Sequence, residues 1–169
     1  MNATASFALD TFTLTYNAGP GGSIVGVSPQ TVAYGGNGTL VTATPGLGYH
    51  FVSWSDAYPT PARTDLNVTA NKNVTASFAL YEFTLTYPAE AGASLVGGSP
   101  QLVDYNTSGT LVTATPGLGY HFVSWSDAYP TAARTDLNVT ANKSATARSA
   151  LDQFTLSCSA GAGGSIVGT

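Results

Sequence analysis

The sequence predicts a mainly β protein built from small tandem modules of about 71 residues, strung like beads in a row. Three observations carry this. The chain repeats itself: GYHFVSWSDAYPT occupies residues 48–60 and again 119–131, so Trp54 and Trp125 lie 71 positions apart. Phe12, Phe83 and Phe154 open F-T-L runs at the same interval, and residues 38–72 differ from 109–143 only in Pro61 against Ala132. Apolar residues alternate with threonine, the period of a half-buried strand. No ten-residue window carries helical periodicity; one short turn could fit between Asp56 and Arg63, but Pro59 and Pro61 limit it.

The repeat frame divides the chain into four parts. Residues 1–10 read as the last strand of a preceding repeat, because NATASFAL at 2–9 matches NVTASFAL at 73–80. Residues 11–81 and 82–152 are two whole modules. Residues 153–169 read as the opening hairpin of a following one, because 154–168 match 12–26. The beginning therefore reads as a cut through a longer array.

Within the first module, residues 11–16 place Phe12, Leu14 and Tyr16 on one face and threonines on the other. Gly19-Pro20-Gly21-Gly22 turns the chain into residues 23–27. Residues 40–44 and 49–54 form a pair of strands around Pro45-Gly46-Leu47-Gly48. Residues 63–69 read as a strand with Leu66 and Val68 inward, and residues 73–80 as another with Val74, Ala76, Phe78 and Leu80 inward. Val27, Val32 and Val41 complete the expected core with Ile24, Phe51 and Trp54. Trp54 is three positions beyond Phe51, so strict alternation would turn it outward. A β-bulge near Val52-Ser53 returns the indole to the core.

Composition excludes several functions. Charged residues make up 8% of the chain, net charge is −4, and five Lys and Arg cannot line a nucleic-acid surface. No apolar run reaches the roughly 20 residues of a membrane helix, and no signal peptide is recognisable. A neutral coat of Thr, Ser, Asn and Gly suits an extracellular setting. The single cysteine, Cys158, occupies the place of Tyr16 and Tyr87. It reads as a small buried side chain, with an intermolecular disulfide as the alternative.

Candidate chemistry is sparse. His50 and His121 sit between aromatics on a strand and read as half-exposed positions, too few for a metal cluster. Asp56 and Asp65 flank Arg63, as Asp127 and Asp136 flank Arg134. An arginine between two carboxylates would repel a cation, so a loop-fixing ion pair is expected, with no metal, no cofactor and no catalytic residue. Tyr58 and Tyr129, in the Asp-Ala-Tyr-Pro loops, are the candidates for stacking on a sugar face; otherwise each covers the end of its own core.

The ordered segments F-T-L-T-Y-N-A-G, Q-T-V-A-Y-G, T-A-T-P-G-x-G-Y-x-F-V-S-W-S, T-D-x-N-V-T and N-V-T-A-S-F-A resemble the bacterial internalin-type B-repeat superfamily, in its divergent and Listeria–Bacteroides forms. The resemblance covers essentially the whole chain. Its core signature is Tyr49, Phe51 and Trp54, repeated as Tyr120, Phe122 and Trp125. It implies β-grasp-like or β-sandwich-like modules in secreted or cell-surface proteins, commonly stalks or spacers of adhesins, and supplies no catalytic residues. Two alternatives stand beside the spacer: a multivalent carbohydrate- or protein-binding module, and a strand-exchanging filament subunit. The partners expected are neighbouring repeats, a glycan or protein ligand, and a second copy joined head to tail through residues 2–9 and 154–168. The second module departs at its last strand, where Ser149 and Ala145 replace Phe78 and Val74. That module is expected to be the weaker one, by up to the roughly 3–5 kcal/mol of a truncated buried Phe.

Overall fold

The first repeat folds by joining its two ends. β1 (Thr11–Ala18) and β7 (Lys72–Leu80) pair in parallel, from Leu14↔Lys72 to Ala18↔Ala76. β3 (Gln30–Ala33) adds antiparallel to β1, and β5 (Tyr49–Trp54) antiparallel to β7, giving the order β3-β1-β7-β5. A second sheet, β2-β4-β6, is formed by β2 (Gly22–Val25), β4 (Val41–Pro45) and β6 (Ala62–Arg63). The computed structural model describes residues 1–168, and among these every regular element is a strand.

Alternation fills the core as the periodicity requires. Leu14 and Tyr16 of β1, Val41 and Ala43 of β4, Trp54 of β5, and Val74 and Ala76 of β7 form one buried cluster with Val32 and Val68. Both sheets thus contribute to a single interior. The bulge expected before Trp54 is present. Phe51 stands opposite Phe78, but Ser53 stands opposite Ser77, so Val52 is the extra, exposed residue and the indole turns inward. Trp54 is 1% exposed.

Two adjacent glycines at the opening hairpin seat aromatic rings. The Tyr49 ring lies against Gly21, which also adopts a φ of +88°, and the Phe78 ring lies against Gly22. Neither glycine has room for a Cβ. The hairpin is therefore glycine-rich for a packing reason as well as a conformational one.

Three expectations for the first repeat are corrected. Residues 63–69 do not form a strand: only Ala62–Arg63 pairs, with Val41 and Thr42 of β4. The Arg63 side chain takes the interior, Asn67 turns the chain at a φ of 49°, and Leu66 is left outside while Val68 is buried. Val27 is also exposed, beyond the end of β2. β3 carries no clean apolar alternation because its inward residue Gln30 is polar. Its amide is satisfied by the Val27 carbonyl at 2.9 Å, the Thr39 carbonyl at 3.1 Å and the Thr39 N–H at 2.7 Å.

The second repeat supplies β8 (Glu82–Thr86), β9 (Ala93–Val96), β10 (Gln101–Asp104), β11 (Val112–Pro116), β12 (Tyr120–Trp125), β13 (Ala133–Arg134), β14 (Lys143–Ser144) and β15 (Ala147–Leu151). Its sheets are ordered β10-β8-β14, β13-β11-β9 and β12-β15. The bulge recurs between Phe122 and Ser124, and Trp125 is fully buried. What was one nine-residue strand, β7, is here two pieces. Pro88 stands where β1 has Asn17 and has no N–H to offer a ladder. The parallel pairing stops after Leu85↔Lys143 and Thr86↔Ser144, resuming only as a bridge between Ala89 and Ala147.

Two compact units result. One comprises Met1–Phe83, Leu102–Ser108 and Leu137–Ala141; the other comprises Thr84–Gln101, Gly109–Asp136 and the residues from Asn142 onward. Residues 2–9 and 154–168 carry no strand, and Phe7 and Phe154 are exposed. Cys158 is exposed, not buried. The strands that cover Tyr16 in the first repeat have no counterpart around it.

Candidate functional site: a buried arginine cluster in each repeat

The residues richest in chemistry converge on one guanidinium. β6 ends at Arg63, whose side chain is wholly buried. Arg63 Nη1 and Nη2 donate to the two oxygens of Asp56, each at 2.9 Å. Its Nε donates to Asp65 Oδ2 at 3.2 Å and Nη2 to Asp65 Oδ1 at 2.9 Å. Lys72, at the start of β7, reaches Asp65 Oδ1 at 2.5 Å and Asp56 Oδ2 at 3.5 Å. The Tyr16 hydroxyl, from β1, donates to Asp65 Oδ2 at 2.7 Å. Two carboxylates and two cations leave the cluster formally neutral.

Aromatic rings enclose the cation. The guanidinium carbon lies 5.6 Å from the Tyr16 ring centre, 5.0 Å from Trp54 and 4.8 Å from Tyr58. Rings at that distance attract a cation through their quadrupole. The indole N–H is itself satisfied by the Thr60 carbonyl at 3.0 Å. The ion pair expected for Asp56, Arg63 and Asp65 is therefore present, but as a buried cluster with more members. Tyr16 and Lys72 were not foreseen as part of it. The signal available in the sequence was that both recur, as Tyr87 and Lys143, at the interval of the arginine.

The second repeat reproduces the cluster closely. Arg134 holds Asp127 at 2.9 and 3.0 Å and Asp136 at 2.8 Å, Lys143 reaches Asp136 at 2.5 Å, and the Tyr87 hydroxyl donates to Asp136 at 2.7 Å. The guanidinium lies 5.5, 4.9 and 4.8 Å from Tyr87, Trp125 and Tyr129.

The electrostatics follow from these bonds. Hydrogen bonds from Arg63 hold the Asp56 carboxyl down at about 2, against burial that would raise it. Burial would raise Asp65 too, but the donors Arg63, Lys72 and Tyr16 outweigh it and its pKa is lowered. Burial, then donation to Asp65, pushes the Tyr16 phenol well above its usual range. Burial alone would make Arg63 easier to deprotonate; its two carboxylates more than reverse that. Asp127 is likewise depressed, first by the hydrogen bonds of Arg134. A carboxylate already bonded on both oxygens is a poor general base, and a phenol held protonated is a poor nucleophile. The arrangement fixes the Asp-Ala-Tyr-Pro loop and the chain after β6 onto the sheet.

The other singled-out residues fall around this centre. Tyr58 and Tyr129 are 37% and 38% exposed, each with its ring against its arginine. In the core signature Trp54 and Trp125 are buried, while Tyr49, Phe51, Tyr120 and Phe122 are half-buried. His50 is half-buried against the Tyr81 ring at 5.1 Å, with Nδ1 unpartnered. His121 is exposed, with Nδ1 2.9 Å from Asp152.

The profile of the divergent InlB B-repeat domain matches residues 12–82 and again residues 83–151. Neither the curated proteins nor the solved structures contain a match. Two successive matches over most of the chain, each spanning one repeat built of strands around a buried Trp, place this protein in the divergent InlB B-repeat domain family.

Proposed function

We propose that these repeats are non-catalytic spacers, holding a functional head away from a bacterial cell surface in a secreted or surface-attached adhesin. The observation that carries the reading is the arginine cluster. The same acidic, basic and aromatic side chains that a binding or catalytic site would draw on are spent, in both repeats, on bonds within the repeat. A scarcely charged, Thr-rich exterior suits repeats that stay hydrated and inert beside their neighbours. No helix among the described residues is long and apolar enough to cross a membrane.

The test is reach. A ligand-binding head is displayed on cells through no copy, one copy or two copies of this chain, and binding to a ligand set behind a polymer brush is measured. Capture that rises with copy number supports the spacer; capture independent of it removes the reading.

A second reading rests on the part of each Tyr58 and Tyr129 ring left open to solvent. In this reading the repeats bind a glycan or protein weakly and multivalently. Retention on a glycan array that disappears in Tyr58→Ala/Tyr129→Ala would favour it over the spacer.

A further inference from the structure

The two repeats treat one half-buried spot at the edge of the core in opposite ways. In the first, Phe78 of β7 lays its ring against Gly22, where a Cβ would come within 2.3 Å of a ring carbon. Gly22 stands opposite Pro45, and Phe78 opposite Phe51. In the second repeat the same register positions hold Ala93, opposite Pro116, and Ser149, opposite Phe122. A ring against no side chain becomes a hydroxymethyl where a methyl is present. Ser149 is not orphaned, because its Oγ donates to the Ala91 carbonyl at 2.9 Å. The neighbouring contact does not change: Tyr49 lies on Gly21 and Tyr120 on Gly92. The exchange is confined to the contact between last strand and opening hairpin.

We propose that this pair is an address, which ties each last strand to the opening hairpin of its own repeat and bars strand exchange between them. Residues 38–72 and 109–143 differ at a single position, so the middle of the repeat offers almost nothing to tell one from the other. β7 offered to the second repeat drives a phenyl ring into the Ala93 methyl, and this half-buried contact closes only if the ring is lifted off the hairpin. β15 offered to the first removes the half-buried ring that covers Gly22 and leaves the apolar surface beneath it open. Each mispairing is penalised by a different mechanism, as specificity between similar partners requires. The same rule bears on residues 2–9. Phe7 there matches Phe78, so it is addressed to a hairpin with glycine at this position, as Gly164 provides in residues 154–168, and not to the second repeat.

The full chain tests this. With both tryptophans replaced by 5-fluorotryptophan, ¹⁹F resonances of Trp54 and Trp125 report melting of each repeat separately. Ser149→Phe lowers the Trp125 midpoint by about 5 °C or more, and Ala93→Gly added to it restores the midpoint. The double variant Ala93→Gly/Ser149→Phe, in which both repeats carry the Phe–Gly pair, is then refolded from denaturant and resolved by size. It gives at least about twice the wild-type fraction of exchanged dimer and misfolded monomer, because the address is gone. A neutral Ser149→Phe, a failed rescue by Ala93→Gly, or refolding of the double variant to the wild-type distribution each overturns the proposal.

Discussion

The two repeats share one stretch and part company at another, and the structure follows the sequence at both. Residues 38–72 and 109–143 are nearly identical, and the arginine clusters they build agree within about 0.1 Å in most hydrogen bonds. Residues 73–80 and 144–151 differ, and there an unbroken β7 faces a divided β14 and β15. The cluster does not depend on an intact last strand beyond its first residue, since Lys143 still reaches Asp136 from the two-residue β14. The repeat is thus built around a fixed inner centre with a variable closing strand. Ser149 for Phe78 is also not a bare truncation, because the Ser149 hydroxyl donates to the Ala91 carbonyl and Ala93 adds a methyl where the first repeat has Gly22.

The sharpest way to break the comparison is at the arginine. Arg63→Met leaves two carboxylates with Lys72 as their one remaining cation and should cost roughly 3–5 kcal/mol. Arg134→Met should cost the second repeat the same, within about 0.5 kcal/mol, since the two centres are alike. Urea unfolding of each variant measures both. Costs that differ by more than that would show that the closing strand does reach the centre.

Acid probes the same centre without mutation. The carboxyl of Asp56 is depressed to about 2 in the folded chain, below its unfolded value near 4, so its stabilising effect is complete above that unfolded value. It is lost as pH falls through about 2. Asp65, Asp127 and Asp136 shift in the same direction. Melting temperatures of both repeats should fall together between pH 5 and pH 2. A flat profile over that range would contradict the network as described.

Pro88 tests the other side of the comparison. Pro88→Asn returns the residue that β1 carries at Asn17, together with the missing N–H. It should let β8 continue beside the last strand and stabilise the second repeat by roughly 0.5–1.5 kcal/mol. The Ala145 and Ala147 N–H groups, which donate to the Thr86 and Pro88 carbonyls on either side of the missing donor, should exchange more slowly at the same time. Unchanged exchange would mean that Ala145 and Ser149, not the proline, divide the strand.

Most of the strand framework was legible because threonine and apolar residues alternate so cleanly, and the bulge was legible because a buried Trp54 cannot otherwise sit three residues after Phe51. The interior of the cluster was not. Hydropathy puts arginine outside, and so residues 63–69 read as a strand with Leu66 inward. The structure reverses this: the guanidinium is buried because Asp56, Asp65 and three rings replace its water. Cys158 read as buried for a related reason. Period-two patterning gives the face a residue would occupy in a sheet, and cannot say whether a sheet is there to receive it. The Phe78–Gly22 contact was invisible from either residue alone, since it joins the two ends of the repeat.

The smallest expected effect lies where the last strand ends. Tyr81 follows β7 and packs on His50; its counterpart Asp152 follows β15 and meets His121 Nδ1 at 2.9 Å. The difference catches the eye, but the second arrangement is solvated: the side chains of His121 and Asp152 are 56% and 36% exposed. An exposed pair loses in side-chain freedom and screening about what it gains in attraction, so Asp152→Asn should move the stability of the second repeat by no more than about 0.5 kcal/mol. Asp152→Tyr, which restores the ring of the first repeat, should help slightly by covering His121, and by a similarly small amount. Urea midpoints resolve the two. If Asp152→Asn instead cost as much as the Pro88→Asn gain, the pair would belong to the closing of the repeat, and the boundary between fixed centre and variable strand would have to be drawn beyond residue 151.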